Sequence, residues 1–195
     1  MPRTASIERN TLETKIRLSI DLDGEGKSQL KTGIGFFDHM LTLFSKHSLI
    51  DLKLEVDGDL HIDAHHSVED TGIALGKALV QAVGDKAGIR RYGHAVVPMD
   101  ESLASAAIDL SGRPFLVYRA TLPPIMVGQF PTELAEEFFR GFSSAGLLNL
   151  HLEVAYGTNA HHMIEAMFKA TGRALRQAVE SDPRAKGIPS TKGVL

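Results

Sequence analysis

Two short motifs of the same form stand 96 residues apart: His65-His66-Ser67-Val68-Glu69 and His161-His162-Met163-Ile164-Glu165. Imidazole and carboxylate together suit first-row divalent metals such as Mn, Fe, Co or Zn. In a helix, residues i and i+4 share a face one turn apart. His65 with Glu69, and His161 with Glu165, can therefore each offer one nitrogen and one oxygen to a single ion. His66 and His162 point about 100° away around the helix and cannot easily join their neighbour's ion. Each motif thus addresses two ions, and the pair predicts a dinuclear centre with crossed ligands. One such motif alone is more often a surface or capping feature. Its repetition is what points to metal. The chain has no cysteine, so disulfides, thiolate catalysis and Cys-type zinc sites are excluded. A labile manganese-like site is then at least as good a fit as zinc.

The motifs belong to a longer repeat. Residues 65–83 and 161–179 agree at ten of 19 positions, both histidines and the glutamate included, which makes coincidence a poor explanation. Residues 44–56 and 142–154 agree at seven of 13 positions, at an offset of 98. A weaker match at an offset of 88 sets Ile20-Asp21-Leu22-Asp23-Gly24 against Ile108-Asp109-Leu110-Ser111-Gly112, and Glu13 opposite Glu101. Three matches in one order predict two fused α/β half-repeats, 1–90 and 91–195, in one pseudo-symmetric unit. The offset of 98 also pairs Asp38-His39 with Glu136-Glu137, which nominates His39 and Glu137 as further ligands. A glutamate on a helix is usually solvated, so Glu137 rests on the repeat alone. His47, His61, His94 and His151 have no repeat partner and read as structural or supporting groups.

The elements that must hold these residues follow from periodicity. Ile16, Leu18, Ile20 and Leu22 alternate with polar residues as a half-buried strand, and Asp23 to Gly26 turn into a second. Phe36 to Lys46 carries an apolar stripe and predicts a short helix. Ile50 to Val56 alternates again. Asp57-Gly58 predicts a hairpin turn into a short strand through Ile62. Asp63 and Asn159 occupy matching positions as N-caps, placing both His-His pairs in the first turn of a long helix. The expected fold is two-layer α/β halves packed helix face to helix face.

The 195 residues allow one compact unit or two small fused halves. A net charge of −3 gives no sign of nucleic acid or an anionic membrane. No run of about 20 apolar residues offers a membrane span, and Met1-Pro2-Arg3-Thr4 lacks the apolar core of a signal peptide. A cytoplasmic protein is expected. Two rival classes remain open on the motifs: a di-metal phosphoester hydrolase and a non-catalytic metal-binding protein.

Gly35-Phe36-Phe37-Asp38-His39-Met40-Leu41, His65-His66-Ser67-Val68-Glu69-Asp70, Asn159 to Ala166 and Asp109-Leu110-Ser111-Gly112-Arg113-Pro114 resemble the imidazoleglycerol-phosphate dehydratase family. The likeness runs from Arg9 to Lys192. It implies a helix bundle between two four-stranded sheets and a hydro-lyase of histidine biosynthesis. The implied reaction is loss of water from D-erythro-imidazole glycerol phosphate to give imidazole acetol phosphate. The resemblance also implies two Mn²⁺ ions and a homo-oligomer of 24 subunits, or a trimer without metal. One ion would be held by His39, His66, His161 and Glu165, the other by His65, Glu69, His162 and residue 137. A common family pattern has histidine at the last position, where this chain has Glu137. Glu13, in Arg9-Asn10-Thr11-Leu12-Glu13-Thr14, matches the acid–base glutamate. Arg91, Arg113, Lys169, Ser190 and Lys192 match substrate-binding positions, several of them for the phosphate.

The implied chemistry is demanding, because the proton is lost from a carbon with no neighbouring carbonyl. A substrate ring held between two cations can lose its N–H and become imidazolate. The electron-rich ring then expels the adjacent hydroxyl and serves as electron sink for the proton loss. Glu13 is the candidate proton-transfer group.

Overall fold

The computed structural model describes residues 2–195. Alternating apolar residues build a first sheet from β1 (Thr4–Asn10), β2 (Thr14–Asp21), β3 (Ser28–Lys31) and β4 (Asp51–Gly58). Its order is β1-β2-β4-β3, with only the β4/β3 pair parallel. Between β3 and β4 lies α1 (Gly35–Ser48), and after β4 comes α2 (His65–Val83). A second sheet repeats the plan with β5 (Tyr92–Met99), β6 (Ser102–Asp109), β7 (Phe115–Arg119) and β10 (Asn149–Tyr156). Its order is β5-β6-β10-β7, again with one parallel pair, β10/β7. The second half carries an added antiparallel ribbon, β8 (Met126–Val127) with β9 (Phe130–Pro131), before α3 (Leu134–Ala145). It closes with α4 (Ala160–Val179).

Each sheet turns its apolar side chains to the helices. Ile16, Leu18, Ile20, Leu52 and Leu54 are buried from the first, Ala104, Ala106, Ile108, Leu150 and Leu152 from the second. α2 lies on the first sheet and packs against α3, whereas α4 lies on the second sheet and packs against α1. The helices therefore exchange partners between halves inside a layer flanked by the two sheets. Buried phenylalanines lock that layer. The ring centroids of Phe37 and Phe138 lie 5.5 Å apart, those of Phe44 and Phe142 6.0 Å, and those of Phe139 and Phe168 4.8 Å. Aromatic pairs at such separations add to the burial of their area. Two glycines let backbones meet. A Cβ on Gly76 would fall 2.6 Å from Phe142 O, and one on Gly172 2.8 Å from Phe44 O.

The expected two-sheet, helix-filled α/β architecture is present. Two local expectations need correction. No strand follows Asp57-Gly58. β4 is already flanked by β2 and β3, and the chain turns instead, with Ile62 N donating to Asp59 O at 2.8 Å. The fourth strand is β1, whose signal is faint because it is an edge strand burying Ala5 alone. Among the described residues, no helix is long and apolar enough to cross a membrane.

Candidate active site

The helix starts fix the histidines. Asn159 caps α4 by accepting from His161 N (2.9 Å) and His162 N (3.5 Å). Asp63 accepts from His65 N at 2.8 Å, although Ala64 is the residue that immediately precedes the helix. Each cap ties down a free N–H of the first turn, so the imidazoles leave the helix in a set direction.

One cluster forms from both halves. His39, on α1, and His161 and Glu165, on α4, bring ligand atoms within 4.8 Å of one another. His39 Nε2 and His161 Nε2 stand 3.3 and 3.2 Å from the same Glu165 Oε2. Phe36 and His161 meet in a T-shaped pair, with ring centroids 5.0 Å apart. Glu165 is buried, a position that works to raise its pKa. The hydrogen-bonded Lys169 ammonium, 2.5 Å from Oε1, and the two imidazoles outweigh burial and hold the carboxyl below its ordinary value. Two imidazole nitrogens and an ionised carboxylate are a fit donor set for a first-row divalent cation.

The other motif is more open. His65 Nε2 lies 3.7 Å from Glu69 Oε2. Glu137 is half-buried and 3.5 Å from Arg140 Nε, and among the described residues it joins no group of three or more potential ligands. His66 and His162 turn away from their neighbours, as their position in the helix requires. His66 Nδ1 donates to Asp59 Oδ2 at 2.9 Å, and its Nε2 is 3.6 Å from Glu13 Oε1. His162 Nδ1 donates to Glu101 Oε2 at 2.7 Å. These hydrogen bonds, with the nearby negative charge, raise both imidazoles above the usual histidine range. The bond from His162, helped by the Asn159 N–H, holds Glu101 far below the usual carboxylate range. A single chain thus gathers neither proposed four-ligand set.

Glu13 is exposed in the turn joining β1 to β2, not on a strand. Thr11 Oγ1 shapes that turn by accepting from Glu13 N (3.1 Å) and Thr14 N (2.9 Å). A buried knot fastens it to α2: Thr14 Oγ1 donates to Asp70 Oδ2 at 2.5 Å, and Arg9 stands 2.7 Å from Asp70 Oδ1. Sequence reasoning named neither Asp70 nor Asp59 as a contributor. The equivalence of Glu13 and Glu101 was the available signal for the second half: Glu101 sits in the β5–β6 turn as Glu13 sits in the β1–β2 turn.

Arg91, Arg113, Ser190 and Lys192 line one cavity of about 600 Å³. Arg91 is clamped by Asp109, with Nε 2.7 Å from Oδ1 and an Nη 3.1 Å from Oδ2, and a second Nη donates to Pro189 O at 2.9 Å. Asp109 raises the guanidinium pKa further. Burial lowers that of nearby Lys86, and the charges of Arg91 and Arg113 add to the effect. Lys169 does not line this cavity and is instead bound to Glu165.

These features define a class of protein: an α/β enzyme whose central helices carry an imidazole–carboxylate site, with a cationic cavity formed at the end of the chain. A family model described as imidazoleglycerol-phosphate dehydratase matches residues 32–175. The chain is 57% identical over 195 residues to the imidazoleglycerol-phosphate dehydratase of Pelobacter propionicus, covering 100% of both. It is 59% identical over 191 residues to that of Exiguobacterium sp., covering 98% of this chain and 97% of the relative. The solved Staphylococcus aureus enzyme superposes with a TM-score of 0.83 at 42% identity, over 92% of this chain and 99% of that one. The Pyrococcus furiosus enzyme, solved in complex with (S)-C348, gives 0.84 at 35% identity, over 97% and 100%. The chain belongs to the imidazoleglycerol-phosphate dehydratase family and is a hydro-lyase of histidine biosynthesis. The hydrolase and the non-catalytic readings of the motifs fall away.

Proposed function

We propose that the chain converts imidazole glycerol phosphate to imidazole acetol phosphate with two divalent cations, manganese the first candidate. The observation that carries this reading is the meeting of His39, His161 and Glu165 from opposite halves of the chain. His66 would complete that set, and His65, Glu69, His162 and Glu137 would form the other. When bound, two such cations supply the positive charge that acidifies an azole N–H and draws electron density into the ring. The residues of the chain do the rest. Glu13, exposed and 3.6 Å from His66 Nε2, takes or gives the proton at the substrate carbon. Arg113, Lys192 and the Ser190 hydroxyl receive the phosphate, with Arg91 held ready by Asp109. Lys169 keeps Glu165 ionised and so fit to ligate.

Completion of each ligand set calls for neighbouring copies, and an assembly of 24 subunits, with a trimer as the metal-free form, meets that need. Phe115, Ile125, Met126 and Tyr156 are exposed apolar side chains that such contacts would cover. Shared strand order and matching offsets support descent of residues 1–90 and 91–195 from one duplicated half. A biosynthetic role and the ordinary surface charge support a cytoplasmic location.

The test is dehydration of imidazole glycerol phosphate by metal-stripped protein before and after Mn²⁺ is added back. Activity should vanish on stripping and return with the metal. Full activity in the stripped protein would overturn the metal reading.

A further inference from the structure

The two outward-turned histidines are held by carboxylates that the repeat does not make equivalent. Asp59, at the end of β4, holds His66, while Glu101, in the β5–β6 turn, holds His162. The repeat counterpart of Glu101 is Glu13, which faces the opposite nitrogen of its histidine and makes no hydrogen bond to it. Glu101 has no such freedom. Its Oε1 accepts from Thr158 N (3.1 Å), Asn159 N (2.8 Å) and Ser102 Oγ (2.9 Å). That leaves Oε2 for His162 Nδ1, and a carboxylate oxygen can only accept. The ring is thereby obliged to carry a proton on Nδ1, so that its neutral form presents an unprotonated Nε2.

Resting on the dinuclear reading above, we propose that Glu101 is a positioning residue: it fixes the tautomer and the aim of His162, so that Nε2 offers a lone pair to a divalent cation. Asp59 does the same for His66. Because Asp59 has taken over that task in the first half, Glu13 is released for proton transfer. The two equivalent glutamates have therefore divided the labour, one anchoring and one reacting. Carboxylates that orient ligating histidines in this way commonly change metal affinity 10- to 100-fold when lost.

The geometry makes Glu101→Gln a sharp test. Two backbone N–H groups oblige the amide oxygen to occupy the Oε1 position. The amide NH₂ then faces His162 Nδ1 and donates to it, which reverses the tautomer while the loop keeps its bonds. Ring nitrogen shifts in the metal-free protein at about pH 9, where histidine is neutral, report the tautomer directly. The wild type should show His162 protonated on Nδ1, and Glu101→Gln should show it protonated on Nε2, with His66 unchanged in both. Mn²⁺ titration should then show roughly 10- to 100-fold weaker binding of one of the two ions. A wild-type His162 protonated on Nε2 would overturn the inference, whether or not the variant folds. So would wild-type Mn²⁺ affinity in the variant, leaving the dinuclear reading standing. A wild type that binds no Mn²⁺ would bring down the dinuclear reading and this inference with it.

Discussion

At the scale of the residue, burial and hydrogen bonding separate groups of identical chemistry. Glu13 and Glu165 are both glutamates beside imidazoles, yet Glu165 is enclosed and tied to Lys169, whereas Glu13 is exposed and unattached. A ligand benefits from the first setting, a proton carrier from the second. Glu13→Gln should therefore keep full Mn²⁺ stoichiometry while kcat falls about 10²–10⁴-fold, the usual range for loss of a general acid or base. Metal analysis alongside steady-state rates checks both halves of that statement, and an undiminished kcat would remove Glu13 from the chemistry. The histidines and Glu165 were legible because their spacing is helical and repeated. Asp59 was not, since its role depends on where the chain turns after β4, and a lone Asp-Leu-His-Ile stretch carries no periodic signal.

At the scale of the element, the offsets between repeats became registers. β2 and β6 begin 88 residues apart, at Thr14 and Ser102, and β4 and β10 begin 98 apart, at Asp51 and Asn149. The difference of ten between these offsets falls in the stretch that contains the β8–β9 ribbon. The strands with clean alternation were readable for that reason. The edge strand β1 and the turn after β4 were not, because neither buries a periodic face. Helix contact depends on glycine at a few points. A Cβ on Gly76 would lie 2.5 Å from Gly146 N and 2.6 Å from Phe142 O, both backbone atoms that cannot swing away. Gly76→Ala should destabilise the fold by about 1–3 kcal/mol and lower Tm by several degrees, despite the better helix propensity of alanine. Gly35→Ala, whose added methyl meets nothing within 4 Å, should not lower Tm. Thermal unfolding of the two variants side by side separates crowding from propensity.

At the scale of the whole molecule, the helices of each half cover their own sheet but exchange partners across the halves, α2 with α3 and α1 with α4. The same exchange puts His39 beside His161 and Glu165. It leaves His65 and Glu69 as a pair facing outward. Under the proposed assembly, metal and neighbouring copies are bound together. Sedimentation of the wild type should show a large particle with Mn²⁺ and a much smaller one after chelation. His65→Ala should stay small even with Mn²⁺ present. A large particle that ignores chelation would separate assembly from metal. The sequence made the layered architecture legible through its repeated order of elements, but a single chain's sequence pattern does not say which ligands meet within one copy.

The knot of Arg9, Thr14 and Asp70 clamps the hairpin bearing Glu13 to the second turn of the helix bearing His65 and His66. Hairpin and helix are thus one rigid calliper, its gap set when the protein folds rather than when a molecule arrives. On the proposed role of Glu13, selection among phosphorylated imidazoles would work as measurement. A compound whose acidic carbon lies one bond nearer to or farther from its ring should then fall outside the jaws and turn over far more slowly, however well its two ends are held.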